Sequence, residues 1–111
     1  MGRADIMDRL YDVIDARRRE RPGGSYVVSL LDGGQDAIAA KLREECEEVI
    51  EAARSDDPAH TAHEVADWMF HAFVLMAATG VRPDDVYGVL EGRFGMGGLV
   101  EKAGRGRGDA D

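Results

Sequence analysis

Two pairs of acidic residues in the sequence have a spacing that suits metal binding on helices. Glu45 and Glu48 are three residues apart in one acidic segment, and Glu64 and Asp67 have the same spacing in the segment HEVADWMFH. Residues three apart lie on one face of a helix. The second segment is otherwise strongly apolar, and an unpaired buried carboxylate costs several kcal/mol of folding free energy. We therefore expect the two pairs to converge on a cation.

The ligands offered by these four residues are all oxygens. Hard divalent cations prefer oxygen, so Mg²⁺ is the expected cofactor, with Mn²⁺ as the alternative. Mg²⁺ usually keeps several waters and binds substrate phosphates as well. Such a site suits hydrolysis of a phosphoanhydride, in which the metal neutralises phosphate charge and activates a water, while a neighbouring carboxylate accepts the proton. A small-molecule nucleotide is the expected substrate.

The polar residues also have plainer interpretations. The acidic segment could be a solvated helix face, although like charges four residues apart cost about 0.2–0.5 kcal/mol per pair. The string His63-Glu64-x-x-Asp67 resembles the zinc-protease motif H-E-x-x-H but lacks the second imidazole that zinc requires. His63 is expected to lie off the stripe formed by Glu64 and Asp67, as a solvent or interface residue. His71 is either a core histidine with satisfied hydrogen bonds or a partner of the site.

Helical periodicity and stop signals place both segments on helices. The predicted helices span about residues 5–20, 36–54, 59–79 and 82–93. The helix over 59–79 is apolar on nearly all sides, which is typical of a central, buried helix. Residues 25–31 are apolar but isolated, and they are predicted to form an extended linker or one irregular turn. The predicted fold class is all-α, a helical bundle of four to five helices over residues 1–94, followed by a mobile, Gly-rich tail over 95–111.

The same periodicity predicts which helix faces are buried. In the last helix, Val86, Val89 and Leu90 are expected to face inward. Glu45 is expected at the edge of an apolar arc, along an interface rather than in bulk water. That arc spans roughly 120° of the helix over 36–54 and contains six residues: Ile38, Leu42, Cys46, Val49, Ile50 and Ala53.

The composition of the whole chain narrows the function classes. With 111 residues, of which 22 are acidic and 14 basic, the chain is predicted to form one domain with a net charge of −8. A surface of this sign repels the nucleic-acid backbone, so nucleic acid is not an expected partner. The longest apolar run, residues 72–78, is too short to cross a membrane, and no signal peptide is visible. The single Cys46 cannot form an internal disulfide, and a cytoplasmic location is expected.

Longer stretches of the sequence resemble a known enzyme family. The strings KLREECEE and EVADWMFH are similar to the phosphoribosyl-ATP pyrophosphatase family, the histidine-biosynthesis branch of the all-α NTP pyrophosphohydrolase (MazG-like) superfamily. They contain the E-x-x-E and E-x-x-D motifs of that superfamily. Flanking matches over about residues 6–91 resemble the narrower family, including LYDVI followed by Arg17, and Pro22 followed by Ser25-Tyr26.

The resemblance implies Mg²⁺-dependent hydrolysis of the α–β phosphoanhydride of phosphoribosyl-ATP, giving phosphoribosyl-AMP and pyrophosphate. It also implies a homodimeric bundle, in which a second subunit would cover the helix that is apolar on all sides. The implied metal ligands are Glu45, Glu48, Glu64 and Asp67. Glu44 is implied as the base or as a carboxylate that supports the metal ligands. The implied substrate-binding residues are Arg17 (on the buried stripe of the first helix), Ser25, Tyr26, Lys41 and His71. Lys41 has an alternative role as an ion-pair partner of Glu45. The alternative role of Tyr26 is to pack against its neighbours.

The sequence departs from the family pattern near the substrate. Val27 stands where the family usually has Thr, which would remove a hydroxyl from a substrate-facing loop, and Arg43 replaces a usual Gly. Two other functions would use the same carboxylates. One is a housekeeping pyrophosphohydrolase acting on an NTP or dNTP, and the other is a non-catalytic helical dimerisation module stabilised by metal.

Overall fold

The predicted all-α fold is confirmed by a computed structural model, which describes residues 3–94. A short 3₁₀ turn, Arg3–Asp5, precedes five α-helices, and the described residues contain no strand. The helices are α1 (Ile6–Glu20), α2 (Tyr26–Asp32), α3 (Gly34–Arg54), α4 (Pro58–Thr79) and α5 (Pro83–Phe94). The four helices predicted from periodicity are thus confirmed, with ends that differ by at most two residues. The predicted tail over 95–111 lies outside the described residues.

The helices α1 to α4 belong to one compact unit that ends at Gly80, and α5 belongs to a second unit that begins at Val81. Within the first unit α4 packs mainly against α3, with α1 and α2 completing the arrangement. Ile14, Ile38 and Val74, from three different helices, are its largest fully buried side chains. Burying each contributes about 1.5–3 kcal/mol to folding. No helix among residues 3–94 is long and apolar enough to cross a membrane.

The ends of α4 show how local sequence sets its position. Asp57 is the N-cap residue, and its carboxylate accepts hydrogen bonds from the backbone N–H groups of Ala59 and His60. Pro58 occupies the first turn, where its missing N–H costs nothing. Gly80 ends the helix with φ of +77°, in the left-handed region that glycine adopts readily. These caps fix the start and end of the helix that carries Glu64, Asp67 and His71.

The prediction of an extended linker over residues 25–31 is wrong. The chain forms helix α2 there, and Ser25 caps it by accepting a hydrogen bond at Oγ from the Val28 N–H, over 3.3 Å. Val27 and Leu30 are three residues apart and both are buried in the core. Their burial outweighs the weak intrinsic helix preference of β-branched residues. Because Val27 is only 3% exposed, it lies in the core and not in a substrate-facing loop.

The buried face of α3 differs from the predicted arc. The structure buries Ile38 and Ala52, and it leaves Cys46 and Ile50 exposed. At 100° per residue, the buried face is rotated by roughly 80° from the centre of the predicted arc. Glu45 therefore lies near the middle of the packed face, and part of the apolar arc is uncovered in the single chain.

The neighbouring helices cover α4 only in part, as expected, whereas the prediction for α5 needs a correction. The buried residues of α4 all lie in its C-terminal half, and Trp68 is 39% exposed. The helix is therefore not buried on all sides within one chain. In α5, Val86, Val89 and Leu90 are exposed, so the prediction that they face inward is wrong for the chain by itself. The 3.6-residue pattern alone does not determine which apolar residues find a partner.

Candidate active site

Glu45 is an almost buried carboxylate that faces α4. Its side chain is 12% exposed, and its Oε1 lies 3.9 Å from Nδ1 of His71. That distance is too long for a hydrogen bond, and Glu45 makes no hydrogen bond with any residue among 3–94. A carboxylate held this way without a hydrogen-bond donor is costly unless a cation or ligand supplies the missing interaction.

His71 is buried at the centre of a short hydrogen-bonded chain. Its Nδ1 is 2.8 Å from the main-chain oxygen of Asp67, and its Nε2 is 2.8 Å from the hydroxyl of Tyr26. A carbonyl can only accept, so Nδ1 carries a proton. In the neutral ring Nε2 then accepts from the Tyr26 hydroxyl. His71 is thus a core histidine with satisfied hydrogen bonds, and its part in the site stays a prediction.

Glu64 and Asp67 lie on the same helix, each with an imidazole next to it. His60 Nε2 is 3.5 Å from Glu64 Oε2, and His63 Nε2 is 3.6 Å from Asp67 Oδ2. The Glu64 side chain is 15% exposed and that of Asp67 is 47% exposed. His63, Glu64 and Asp67 have ligand atoms within 4.8 Å of one another. The His63 ring turns along the helix toward Asp67 and so lies closer to this pair than expected, whereas its 72% exposure agrees with the predicted solvent position.

The structure brings the four predicted ligands together only in part. Glu45 contacts α4 through His71, next to the main chain of Asp67. Glu48 is exposed and makes no hydrogen bond or ion pair with the described residues. The three-residue group on α4 does not include Glu45 or Glu48. Their convergence with Glu64 and Asp67 on one cation therefore stays a prediction.

Lys41 and Glu44 form an ion pair on the exposed side of α3. Lys41 Nζ donates a hydrogen bond to Glu44 Oε1 over 2.8 Å, whereas Glu45 interacts with Lys41 through its charge alone. This bond raises the pKa of Lys41, and the same bond lowers the pKa of Glu44. Glu44 is therefore held ionised and ready to accept a proton, although a lowered pKa makes it a weaker base.

The predicted substrate residues of the N-terminal half lie in different settings. Arg17 is exposed, so its predicted place on the buried stripe is wrong. Its side chain makes no ion pair with the described residues and is available to a ligand. Ser25 already uses its hydroxyl oxygen to cap α2. Tyr26 is stacked on Phe70, with ring centroids 6.1 Å apart, and the residue is 48% exposed. It therefore both packs and presents a free aromatic face.

A surface pocket of about 570 Å³, which the sequence did not reveal, lies beside Tyr26 between the end of α1 and α2. Arg21 and Asp32 form an ion pair at this pocket. Gly23 and Gly24 lie between the two helices, and Gly24 has φ of +78°. The Arg-Pro-Gly-Gly segment was the available signal, because such residues favour a tight, open loop.

A comparison with known proteins identifies the family. The family model described as phosphoribosyl-ATP pyrophosphohydrolase matches residues 7–94. The chain belongs to this family. The match spans every carboxylate discussed above, together with Tyr26 and His71.

Curated relatives agree with this membership in the phosphoribosyl-ATP pyrophosphohydrolase family. A protein of Rhodopirellula baltica named phosphoribosyl-ATP pyrophosphatase is 48% identical, over 89% of this chain and 85% of its own length. Proteins of the same name from Methylococcus capsulatus and Parvibaculum lavamentivorans are 44% and 48% identical. Each alignment covers more than nine tenths of both chains.

The donor set of this family member fits a divalent metal ion. Glu45 supplies a nearly buried oxygen donor that has no hydrogen bond among the described residues. Glu64 and Asp67 add two more carboxylates on the facing helix. Oxygen donors of this kind suit Mg²⁺ or Mn²⁺.

Proposed function

We propose that the protein hydrolyses the α–β phosphoanhydride of phosphoribosyl-ATP, releasing phosphoribosyl-AMP and pyrophosphate in histidine biosynthesis. The observation that carries the proposal is the family match over residues 7–94, which includes the acidic pairs of both α3 and α4. The names of the curated relatives support the same reaction. We place the reaction in the cytoplasm, where a free thiol such as the exposed Cys46 is kept reduced.

In this proposal Glu45, Glu48, Glu64 and Asp67 hold Mg²⁺ or Mn²⁺. When bound, the metal would neutralise phosphate charge and make hydrolysis easier at neutral pH. The nearly buried carboxylate of Glu45 supports this assignment, since no residue among 3–94 gives it a hydrogen-bond donor.

The remaining roles follow from which side chains are free to reach the substrate. Arg17 is available to a phosphate because its guanidinium is exposed and unpaired among the described residues. Lys41 would bind a phosphate oxygen by exchanging its partner Glu44. Tyr26 and Ser25 would bind the nucleoside or ribose at the edge of the pocket that they line, and His71 orients the Tyr26 hydroxyl. Glu44, released when Lys41 moves to the phosphate, would accept the proton of the attacking water.

The uncovered apolar surface of α3 and α4 supports a homodimer. A pocket of about 310 Å³ between these helices is lined only by Cys46, Val49, Val65 and Trp68. A second copy of the chain would remove this surface from water, which stabilises association in proportion to the apolar area. Sedimentation of Trp68→Glu tests the point, because the charge should convert a dimer to monomers. A wild-type protein that sediments as a monomer would remove the dimer from the proposal.

The decisive experiment measures pyrophosphate released from phosphoribosyl-ATP, and in parallel from a panel of NTPs and dNTPs, with Mg²⁺ present. The proposal expects turnover of phosphoribosyl-ATP. Turnover confined to the panel would indicate a housekeeping nucleotide pyrophosphohydrolase, and metal binding without any turnover would indicate a dimerisation module. Glu48→Gln and Asp67→Asn should each abolish turnover with helical circular dichroism unchanged. Retained activity in both variants would show that the metal ligands are misassigned.

A further inference from the structure

The cluster on α4 contains a ligand type that the four carboxylates lack. His63 Nε2 lies 3.6 Å from Asp67 Oδ2, and one ligand atom each of His63, Glu64 and Asp67 falls within a 4.8 Å span. It is the one three-residue cluster of potential metal ligands among residues 3–94. An imidazole nitrogen therefore stands within reach of the same cation that the two carboxylates would hold.

The position of His63 on the helix explains this arrangement. His63 and Asp67 are four residues apart, so their side chains meet one turn apart on the helix surface. Glu64 follows His63 directly, and its longer side chain brings an oxygen to the same span. The His63 side chain is 72% exposed, so its ring can turn toward a cation without disturbing the core.

We propose that His63 is a further ligand of the cation held by Glu64 and Asp67, and that it makes the site favour Mn²⁺ over Mg²⁺. The inference rests on the metal site of the proposed function and deepens it. Mg²⁺ binds oxygen almost exclusively in proteins, whereas first-row transition ions also accept imidazole nitrogen. A nitrogen donor thus adds affinity for Mn²⁺ and adds little for Mg²⁺.

A simple ion pair is the competing explanation for the short distance between His63 and Asp67. His60 and Glu64 form a contact of the same kind, with the same spacing and a similar distance of 3.5 Å. His60 does not belong to the three-residue cluster, however. The two histidines therefore provide a matched pair, in which His60→Gln is the control for His63→Gln.

The test measures Mn²⁺ bound to metal-free protein without nucleotide. Electron spin echo spectra of the Mn²⁺ complex report directly whether a nitrogen is coordinated, and Mn²⁺ affinity is obtained from the free-ion EPR signal. We expect nitrogen coupling in the wild type and in His60→Gln, and its loss in His63→Gln. Mn²⁺ affinity should fall at least about tenfold in His63→Gln, since even the partners of a metal's ligands contribute that much. Mg²⁺ affinity, from competition with Mn²⁺, should change less than about threefold.

Two results would overturn the inference. One is the absence of nitrogen coupling in the wild type, or its persistence in His63→Gln. The other is an equal loss of Mn²⁺ and Mg²⁺ affinity, which would mean that His63 supports the carboxylates without selecting the metal. Because these readouts need no turnover, a failure of the proposed reaction would appear separately, as no release of pyrophosphate from phosphoribosyl-ATP by a protein that binds Mn²⁺ normally.

Discussion

Replacing Glu45 with Gln should stabilise the metal-free protein and should reduce the further stabilisation that Mg²⁺ gives. The substitution keeps the shape of the side chain and removes its charge. The carboxylate is 12% exposed, has no hydrogen bond among the described residues, and lies 3.9 Å from an imidazole nitrogen. That nitrogen already donates its proton to the main-chain oxygen of Asp67. Glu45 thus carries a desolvation cost that no hydrogen bond among residues 3–94 offsets.

The magnitude follows from two contributions. A buried polar group without a partner costs about 1–3 kcal/mol, and the neutral amide of Gln retains part of that cost. Glu48 lies one turn away on α3, and removing this like-charge neighbour contributes about 0.2–0.5 kcal/mol more. We expect a net gain of about 1 kcal/mol in the free energy of unfolding. For a domain near this size, the gain corresponds to a rise in Tm of about 4–8 °C.

Thermal unfolding followed by circular dichroism, in EDTA and at increasing Mg²⁺, measures both effects. Wild-type protein should gain about 1.4 kcal/mol at a metal concentration ten times Kd, and Glu45→Gln should gain less than half of that. Glu47→Gln is the control, because Glu47 is exposed on the same helix and its change should stay within about 0.5 kcal/mol. A variant that is less stable than wild type in EDTA, or that keeps the full Mg²⁺ response, would refute the reasoning.

Three further predictions concern the elements that hold the site. Asp57→Ala should lower the free energy of unfolding by about 1 kcal/mol in urea titrations, because the N-cap of α4 is lost; no change would mean that water replaces the cap. Gly24→Ala should lower the free energy of unfolding by about 1–2 kcal/mol because φ of Gly24 is +78°. Gly23→Ala is the control, because Gly23 lies in equally open space, and it should be neutral or slightly stabilising. Equal effects of the two substitutions would contradict the assigned backbone. Hydrogen bonding from Arg18 lowers the pKa of Asp15 below 3.8 despite its partial burial. The ion pair contributes about 0.5 kcal/mol to the free energy of unfolding. This contribution is present above pH 4 and is lost as pH falls through the pKa of Asp15 in the folded protein, so Asp15→Asn should lose stability less steeply on acidification. An unchanged dependence of stability on pH would show that the pair does not cause it.

The sequence by itself determined the helices and the spacing of the acidic pairs. Asp57, Pro58 and Gly80 bound α4 through local backbone chemistry, which acts whatever packs around it. The spacing of Glu64 and Asp67 places them on one face of that helix, since the helical period is fixed. The function could be predicted because these short-range rules place carboxylates in a pattern that a family shares.

The tertiary structure decided which way each face points and what each polar group meets. Helical periodicity fixes the angles between residues on one helix but not the direction of the packed face. The packed face of α3 therefore differs from the predicted arc by roughly 80°. That rotation puts Glu45 against His71, a contact between residues 26 positions apart that no local pattern encodes. For the same reason the local sequence did not predict helix α2, where burial of Val27 and Leu30 overrides the intrinsic backbone preference. It did not predict the place of His63 either, because that depends on the rotamer that brings its ring to Asp67.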